Sequence, residues 1–225
     1  MLNGVKQALV ISPHLDDETL GCGGTLKRLS VAGAKVCVLT VAGPRPPLYA
    51  EEVLPALKED ASKAHAALGV GESIFLDLPA TMVAATPHHE LNDAIHTLVA
   101  RLRPELIFIP FKDRMIDHQT IFDSAMVATR PIGAGARIRV LAAYEVISET
   151  FWTAPAIEAN FVPNWFVDIS EHLAAKLEAM ACYKTMVHPF PEPRSLEALQ
   201  ALALLRGSTV SLPYAEGFQV IRQVT

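Results

Sequence analysis

The sequence predicts an α/β fold, a Rossmann-like three-layer sandwich with a mostly parallel sheet and helices on both faces. Five short apolar runs alternate with segments of helical spacing, and such alternation favours parallel strands joined by right-handed crossovers. Hydrophobic residues make up 51% of the 225 residues, enough to bury both faces of a sheet. We expect the strand order 3-2-1-4-5 within one domain covering residues 1–225.

The strands share short runs of Val, Ile, Leu and Phe and are predicted at 8–11, 36–41, 74–78, 106–110 and 140–147, with a last edge strand at 217–224. The helices share apolar residues at helical spacing and are predicted at 19–32, 51–68, 87–102, 119–129, 170–186 and 197–206. Gly33 and Gly69 end the first two helices, and Pro131 stops the fourth. The proline-rich residues 188–193 are too rigid for regular structure, and we expect them to lie over a surface or a site.

Composition and charge narrow the class of protein. The net charge of -5 leaves no basic footprint for nucleic acid, whereas a small neutral or cationic ligand is compatible with it. No stretch approaches the roughly 20 apolar residues of a membrane helix, and residues 1–7 do not resemble a secretory signal. Three cysteines without C-x-x-C spacing argue against a disulfide framework. We therefore predict a cytoplasmic protein without membrane insertion.

Two predicted strands end in charged turns. The run at 8–11 leads into His14, Asp16 and Asp17, and the run at 106–110 leads into Asp113, Asp117 and His118. In the order 3-2-1-4-5, strands one and four are neighbours at the switch point, where ligands bind outside the carboxyl ends. The two turns are therefore predicted to meet.

The residue types in these turns suit a metal. His14 and Asp17, three residues apart, can face one point, and His118 can complete the set from the neighbouring strand. Two imidazoles and one carboxylate are typical of a catalytic zinc site that leaves a position open for water. Asp16, one residue from the ligand pair, faces that water in this interpretation and is the predicted general base.

These residues also carry a family resemblance. Pro13-His14-Leu15-Asp16-Asp17-Glu18 resembles the (A/P)-H-P-D-D-E signature of the LmbE-like, or PIG-L, zinc-dependent de-N-acetylases, with Leu15 at the usual second proline. Weaker motifs resemble the polysaccharide-associated bacterial branch and keep its order along the chain: Asp117-His118, Arg130-Pro131, Tyr144-Glu145, Ser148-Glu149-Thr150, Pro163-Asn164, Tyr183-Lys184, Arg206-Gly207 and Ala215-Glu216-Gly217-Phe218.

The resemblance implies hydrolysis of an N-acetyl group, a linear amide, on a small-molecule amino-sugar conjugate. His14, Asp17 and His118 match the family's zinc ligands and Asp16 matches its base. Zn²⁺ is the implied metal, with Fe²⁺ or Co²⁺ as alternatives. The sugar and its aglycone stay open, as does the choice between a monomer and a homo-oligomer.

One position departs from the family pattern. The second motif is usually H-x-D-H, and its first histidine stabilises the oxyanion or protonates the leaving amine; Met115 stands there, and a thioether does neither. Asp117, which would orient that histidine, is then expected to lose its usual partner.

Three explanations stay open for Met115. Another residue substitutes for the histidine, with Arg114, His188 or Asp113 as candidates; the protein is a weakened enzyme or a metal-containing glycan-binding protein; or Met115 is itself a substitution. Candidate substrate-binding residues are Arg45, Asp113, Arg114, Glu149, Asn164 and His188.

Overall fold

The computed structural model describes residues 1–154 and 156–225. Its strands are β1 (Gln7–Ser12), β2 (Lys35–Gly43), β3 (Glu72–Pro79), β4 (Leu106–Pro110), β5 (Val140–Tyr144), β6 (Trp165–Asp168) and β7 (Ala215–Gln223). Its α-helices are α1 (Asp17–Val31), α2 (Val53–Leu68), α3 (His88–Leu102), α4 (Ile116–Ala128), α5 (Ile147–Thr150), α6 (Leu173–Cys182) and α7 (Leu196–Ser208).

The strands form one sheet in the order β3-β2-β1-β4-β5-β7-β6, which contains the predicted 3-2-1-4-5 arrangement. The first five strands are parallel, whereas β7 pairs antiparallel with both β5 and β6. The prediction of a last edge strand is wrong in this respect. Ala215 and Phe218 of β7 are fully buried between the neighbouring strands, and β6 forms the edge.

Alternate side chains of the central strands enter two separate cores. Val10 and Phe108 pack on the side of α1, α2, α6 and α7. Leu9 and Ile107 pack on the side of α3 and α4. The sheet is therefore buried on both faces, as the continuous apolar runs predict.

Some boundaries differ from the predictions. Gly69 closes α2 with a φ of 76°, as expected for a helix C-terminus. The strand predicted at 140–147 ends at Tyr144, and α5 begins at Ile147, so this region turns back over the sheet edge. The helix predicted at 170–186 is shorter and ends at Cys182. Residues 183–195 consequently form a loop, which lies over the carboxyl end of the sheet.

Helix α1 lies unusually close to its neighbours. A Cβ on Gly21 would overlap the Tyr144 ring, and one on Gly24 would lie 2.7 Å from Ile169 Cγ2. Glycine at these two positions therefore permits the close packing of α1. Within residues 1–154 and 156–225, none of the helices has both the length and the apolarity needed to cross a membrane.

Candidate metal centre and active site

The turn between β1 and α1 holds its residues in a strained backbone. Asp16 has a φ of 134°, a region that residues other than glycine rarely adopt. The Asp16 carbonyl accepts hydrogen bonds from the N–H groups of Thr19 and Leu20 at 2.9 and 2.8 Å, and its own N–H donates to Glu18 Oε2 at 3.3 Å. The turn is thus anchored by the start of α1, and it presents His14, Asp16 and Asp17 at the sheet edge.

Glu18 supports this turn from below. Its buried carboxylate accepts hydrogen bonds from Ser12 Oγ at 3.0 Å, Thr19 Oγ1 at 2.7 Å and Tyr183 Oη at 2.6 Å. His65 Nε2 lies 3.4 Å from Oε1. These contacts lower the Glu18 pKa despite its burial. Tyr183 and His65 come from segments distant in sequence, so local spacing gives no signal for these partners of Glu18.

The predicted meeting of the two charged turns is observed. Asp17 Oδ2 lies 3.1 Å from His14 Nδ1 and 3.3 Å from His118 Nε2. One ligand atom from each of these three residues falls within 4.8 Å of the other two. His14 and Asp17 come from the turn after β1, and His118 comes from the first turn of α4, which follows the neighbouring strand β4.

Each histidine has a second aspartate on its other ring nitrogen. His14 Nε2 lies 2.9 Å from Asp117 Oδ2, and His118 Nδ1 lies 3.1 Å from Asp113 Oδ2. Such carboxylate–histidine pairs orient metal-binding imidazoles. Asp117, whose usual partner is replaced by Met115, faces His14 instead of position 115.

The two supporting aspartates are themselves held in place. Asp117 accepts the N–H groups of Thr81 at 2.6 Å and Val83 at 3.3 Å, from the loop after β3. Asp113 accepts the Met115 N–H at 3.0 Å and the Thr150 hydroxyl at 3.0 Å. Thr81 and Thr150 are contributors that sequence reasoning missed, since they act through the fold and lack any local spacing signal.

In the absence of a metal, the aspartates of this cluster favour the protonated forms of both histidines. Burial lowers the pKa of His14, but hydrogen bonds with Asp117 and Asp17 outweigh it and raise that pKa to about 9. Burial also opposes the charge of His118, yet Asp17 and Asp113 raise its pKa to about 10. Burial disfavours the Asp17 carboxylate, but the two histidines hold its pKa well below the usual range.

The donor set fits a divalent metal. Asp17 Oδ1 and His118 Nε2 are buried and have no hydrogen-bond partner among the described residues. Leaving such atoms unpaired is unfavourable, and a cation between them would satisfy both. Two imidazoles and a carboxylate suit zinc and also other first-row metals.

Asp16 lies beside this cluster with an arginine as its counter-charge. Both Asp16 carboxylate oxygens are buried without a hydrogen bond in the described part of the chain. Arg194 Nε lies 3.6 Å from Asp16 Oδ2 and donates to Ser148 Oγ at 3.1 Å. Burial raises the Asp16 pKa to about 8, and Arg194 acts in the opposite direction. Arg194 follows the proline-rich residues 188–193 directly, so their predicted position over a site was the available signal for it.

Met115 lies at the mouth of the site, and the suggested substitutes are placed differently. Met115 lines the same pocket as His14 and Arg194. Arg114 is 46% exposed and pairs with Glu149 Oε2 at 2.8 Å, while Asp113 is committed to His118. His188 is exposed and does not line this pocket among the described residues.

The other candidate substrate-binding residues divide in two. Glu149 lines the pocket. Arg45 instead donates from Nε to the Asp77 carbonyl at 2.7 Å, and Asn164 Oδ1 accepts the N–H of Val220 at 2.8 Å in the sheet. The described pocket lining contains neither Arg45 nor Asn164.

A pocket of about 340 Å³ opens beside His14. The loops after β1, β2, β3 and α6 and the start of α2 contribute most of its walls. Its described lining consists of His14, Leu15, Gly43, Pro44, Tyr49, Val53, Leu57, Ala80, Thr81, Met115, Glu149, Thr185, Met186 and Arg194.

Comparison with known proteins agrees with the family resemblance. A family model described as PIG-L, GlcNAc-PI de-N-acetylase, matches residues 9–129, more than half of the chain. The diacetylchitobiose deacetylase of Thermococcus kodakarensis is 28% identical over 236 residues, which cover 97% of this chain and 84% of that protein.

Solved structures share the fold at lower identity. The N,N'-diacetylchitobiose deacetylase from Pyrococcus horikoshii has a TM-score of 0.78 at 21% identity, covering 98% of this chain and 85% of that one. GalB, the 4-carboxy-2-hydroxymuconate hydratase from Pseudomonas putida KT2440, has a TM-score of 0.78 at 20% identity and covers 98% of both chains. Because a deacetylase and a hydratase share this architecture, the fold alone does not decide the reaction.

Proposed function

This chain belongs to the PIG-L family, and from that premise we propose that it is a metal-dependent hydrolase that removes the N-acetyl group from an amino-sugar derivative. The observation that carries the proposal is the convergence of His14, Asp17 and His118 next to the buried carboxylate of Asp16. The diacetylchitobiose deacetylase similarity over 97% of the chain supports the same reaction class. The proposed substrate is a small molecule with a linear amide, and the proposed setting is the cytoplasm.

The metal in this proposal is zinc, with Fe²⁺ or Co²⁺ as alternatives that the same donors accept. His14, Asp17 and His118 would hold it, and Asp113 and Asp117 would orient the two imidazoles. Such an ion supplies Lewis acidity to the acetyl carbonyl and lowers the pKa of water. Two tasks then remain for other residues of the chain: transfer of the water proton and stabilisation of the negative charge that develops on the acetyl oxygen.

Asp16 moves the proton. Its carboxylate accepts a proton from the attacking water as the oxygen adds to the acetyl carbon and a tetrahedral intermediate forms. When the C–N bond breaks, Asp16 returns that proton to the departing nitrogen, and acetate and an amine are released. The lack of other hydrogen bonds to either Asp16 oxygen within the described residues leaves both free for this exchange.

Arg194 compensates for Met115 in this proposal. The oxyanion of the intermediate needs a donor that Met115 does not offer, and Arg194 lines the same pocket 3.6 Å from Asp16. A guanidinium stays protonated at neutral pH, so Arg194 stabilises negative charge but does not protonate the amine. That task accordingly falls to Asp16.

The experiment starts with protein purified without chelator. Metal analysis is combined with amine release from N-acetylglucosamine conjugates, and we expect about one divalent ion per chain together with acetate and amine in equal amounts. Asp16→Asn should retain the metal and lose about 10²–10⁴-fold in kcat. Asp93→Asn, an exposed aspartate of α3, is the matched control. A protein that neither contains nor binds a divalent metal would contradict the proposal.

Met115 favours a second candidate, a metal-containing glycan-binding protein without catalysis. That candidate predicts ligand binding without acetate release at high protein concentration. It also predicts that Asp16→Asn leaves the function untouched, and acetate release by the native protein separates the two candidates.

A further inference from the structure

The pocket beside the proposed metal site is lined by both polar and apolar side chains. The polar or charged groups come from His14, Thr81, Glu149 and Arg194. The apolar walls, called here the apolar half, come from separate elements: Leu15, Pro44, Val53, Leu57, Ala80 and Met186. Tyr49 and Thr185 also line the pocket, and each contributes a hydroxyl group.

The apolar half is a formed part of the fold. Leu15 is 2% exposed and Leu57 is 6% exposed, so the core holds both side chains in place. Val53 and Leu57 lie one helical turn apart at the start of α2 and face the same side. Gly43 packs tightly beside them, since a Cβ there would lie 2.5 Å from Leu54 Cδ1 and 3.2 Å from Leu15 Cδ1. The pocket therefore has its shape before a substrate arrives.

We propose that this apolar half is the subsite for an apolar aglycone, so that the substrate is one N-acetylated amino sugar carrying an alkyl or aryl group. The inference rests on the proposed function, which places the acetamide at the polar end. The acyl group removed there is a two-carbon acetyl, too small to fill about 340 Å³. The remaining space is therefore left to the other side of the substrate.

A second sugar ring fits this half poorly. Its hydroxyls would be buried against Leu15, Val53, Leu57 and Met186, with few polar partners among the described lining residues. A buried hydroxyl without a hydrogen bond is unfavourable, whereas a buried methylene is favourable. The substrate class inferred here therefore differs from the disaccharide named in the relative's description.

The test compares β-glycosides of N-acetylglucosamine with methyl, butyl and hexyl aglycones, and diacetylchitobiose. Each methylene that enters the pocket should raise kcat/KM by up to about fourfold, so butyl, with three more methylenes, should exceed methyl by up to about 60-fold. Diacetylchitobiose should be turned over less efficiently than the butyl glycoside. N-butanoyl and N-hexanoyl glucosamine test whether the acyl group occupies the apolar half instead. Their kcat/KM should not exceed that of N-acetylglucosamine.

Two variants probe the apolar wall. Val53→Thr places a hydroxyl in the wall at nearly constant volume, and Met186→Gln places an amide there from the segment after α6; each should reduce the butyl-to-methyl ratio. Val31→Thr is the matched control, because Val31 is 68% exposed at the end of α1 and lies outside the described pocket lining. It should leave the ratio unchanged. If one of the two wall variants fails to fold, the other still measures the effect of a polar wall on the butyl-to-methyl ratio.

A binding measurement separates this inference from the proposed function. Calorimetry with metal-free protein should show tighter binding of the butyl than of the methyl glycoside, and this holds even if no glycoside is hydrolysed. Absence of turnover of every glycoside by metal-loaded protein would overturn the proposed function alone. Three results would overturn the aglycone subsite. They are equal affinity and equal kcat/KM for the methyl to hexyl glycosides, a preference for diacetylchitobiose, and a kcat/KM that rises with the length of the acyl group.

Discussion

His14 and His118 each turn one ring nitrogen toward Asp17 and the other toward an aspartate outside the proposed ligand group. Asp117 and Asp113 therefore decide which nitrogen of each ring faces the metal position. In the proposed mechanism, aspartates fill three roles: metal ligand (Asp17), orienting partner (Asp113 and Asp117) and proton acceptor (Asp16). The roles differ because each carboxylate has different neighbours.

Removing the charge of an orienting aspartate should weaken metal binding without removing a ligand. Asp113→Asn and Asp117→Asn should each lower metal affinity by about 10–100-fold, measured by competition with a chromogenic chelator. Asp123→Asn is the control, because Asp123 is exposed on α4 and pairs only with Lys112 in the described hydrogen bonds. Unchanged affinity in both variants would show that the histidines need no such support.

Arg194 and Met115 should behave as alternatives. Arg194→Ala should reduce kcat by about 10²–10³-fold, the usual effect of losing one oxyanion donor, with the metal retained. Met115→His should add little to the native protein but recover much of the loss in the Arg194→Ala background.

The double-mutant cycle decides between compensation and independence. Arg194→Lys keeps the positive charge and should therefore retain part of the activity. If Arg194 had only a structural role, retention of the charge would not be expected to preserve activity. Equal gains from Met115→His in both backgrounds would contradict compensation by Arg194.

At the scale of elements, α1 carries the strained turn because it packs closely on β5 and on the segment after β6. Gly21 lies against Tyr144, whose hydroxyl donates to the Ile11 carbonyl of β1 at 3.0 Å. Glu216 of β7 accepts the N–H groups of Gly24 and Thr25 at 2.9 and 2.7 Å, and Lys176 Nζ lies 2.6 Å from its Oε1. The helix is thus held directly against β5 and β7, and its first turn has a fixed position.

Adding one methyl group at this contact should destabilise the fold. Gly21→Ala forces either the Tyr144 ring or the helix to move, and overpacking of this kind typically lowers the free energy of unfolding by about 1–3 kcal/mol. Denaturant unfolding measures the change. Gly71→Ala is the control, since a Cβ there meets only the Val36 carbonyl at an ordinary 3.6 Å. A destabilisation no larger than that of the control would contradict close packing as the reason for Gly21.

At the scale of the whole molecule, the proposed metal site joins segments that are about 100 residues apart in sequence, between His14 and His118. A bound ion would therefore link the β1 and β4 ends of the sheet and stabilise the folded state over the unfolded one.

Metal binding should depend strongly on pH. The pKa values of His14 and His118, about 9 and 10 without metal, lie above the ordinary 6.5, so their charged forms stabilise the metal-free fold fully below pH 6.5. That stabilisation is lost as pH rises through 9 and 10, while a metal needs the neutral imidazoles. The gap in Tm between metal-loaded and metal-free protein should therefore widen from pH 6.5 to 9.

Calorimetry in buffers of different ionisation enthalpy should detect proton release on metal binding near pH 7. His118→Gln removes one ligand and should abolish most of the Tm gap. A gap that stays constant or narrows with rising pH would contradict the raised histidine pKa values.

Local patterns of the sequence determined the alternation of strands and helices, the 3-2-1-4-5 core and the pairing of two charged turns. Each depends on short-range periodicity or on a general rule of parallel sheets, so a single sequence suffices for them. The predicted cluster of His14, Asp17 and His118 is found together for this reason.

Only the tertiary structure decided which distant side chains complete the site. Arg194, Thr81 and Thr150 come from segments with no regular spacing to the motif, and Asp117 faces His14 instead of position 115. The antiparallel insertion of β7 between β5 and β6 is likewise a pairing over long range. Periodicity reports which face of an element is buried but not what is packed against it, and the side chains around Asp16 depend on that packing.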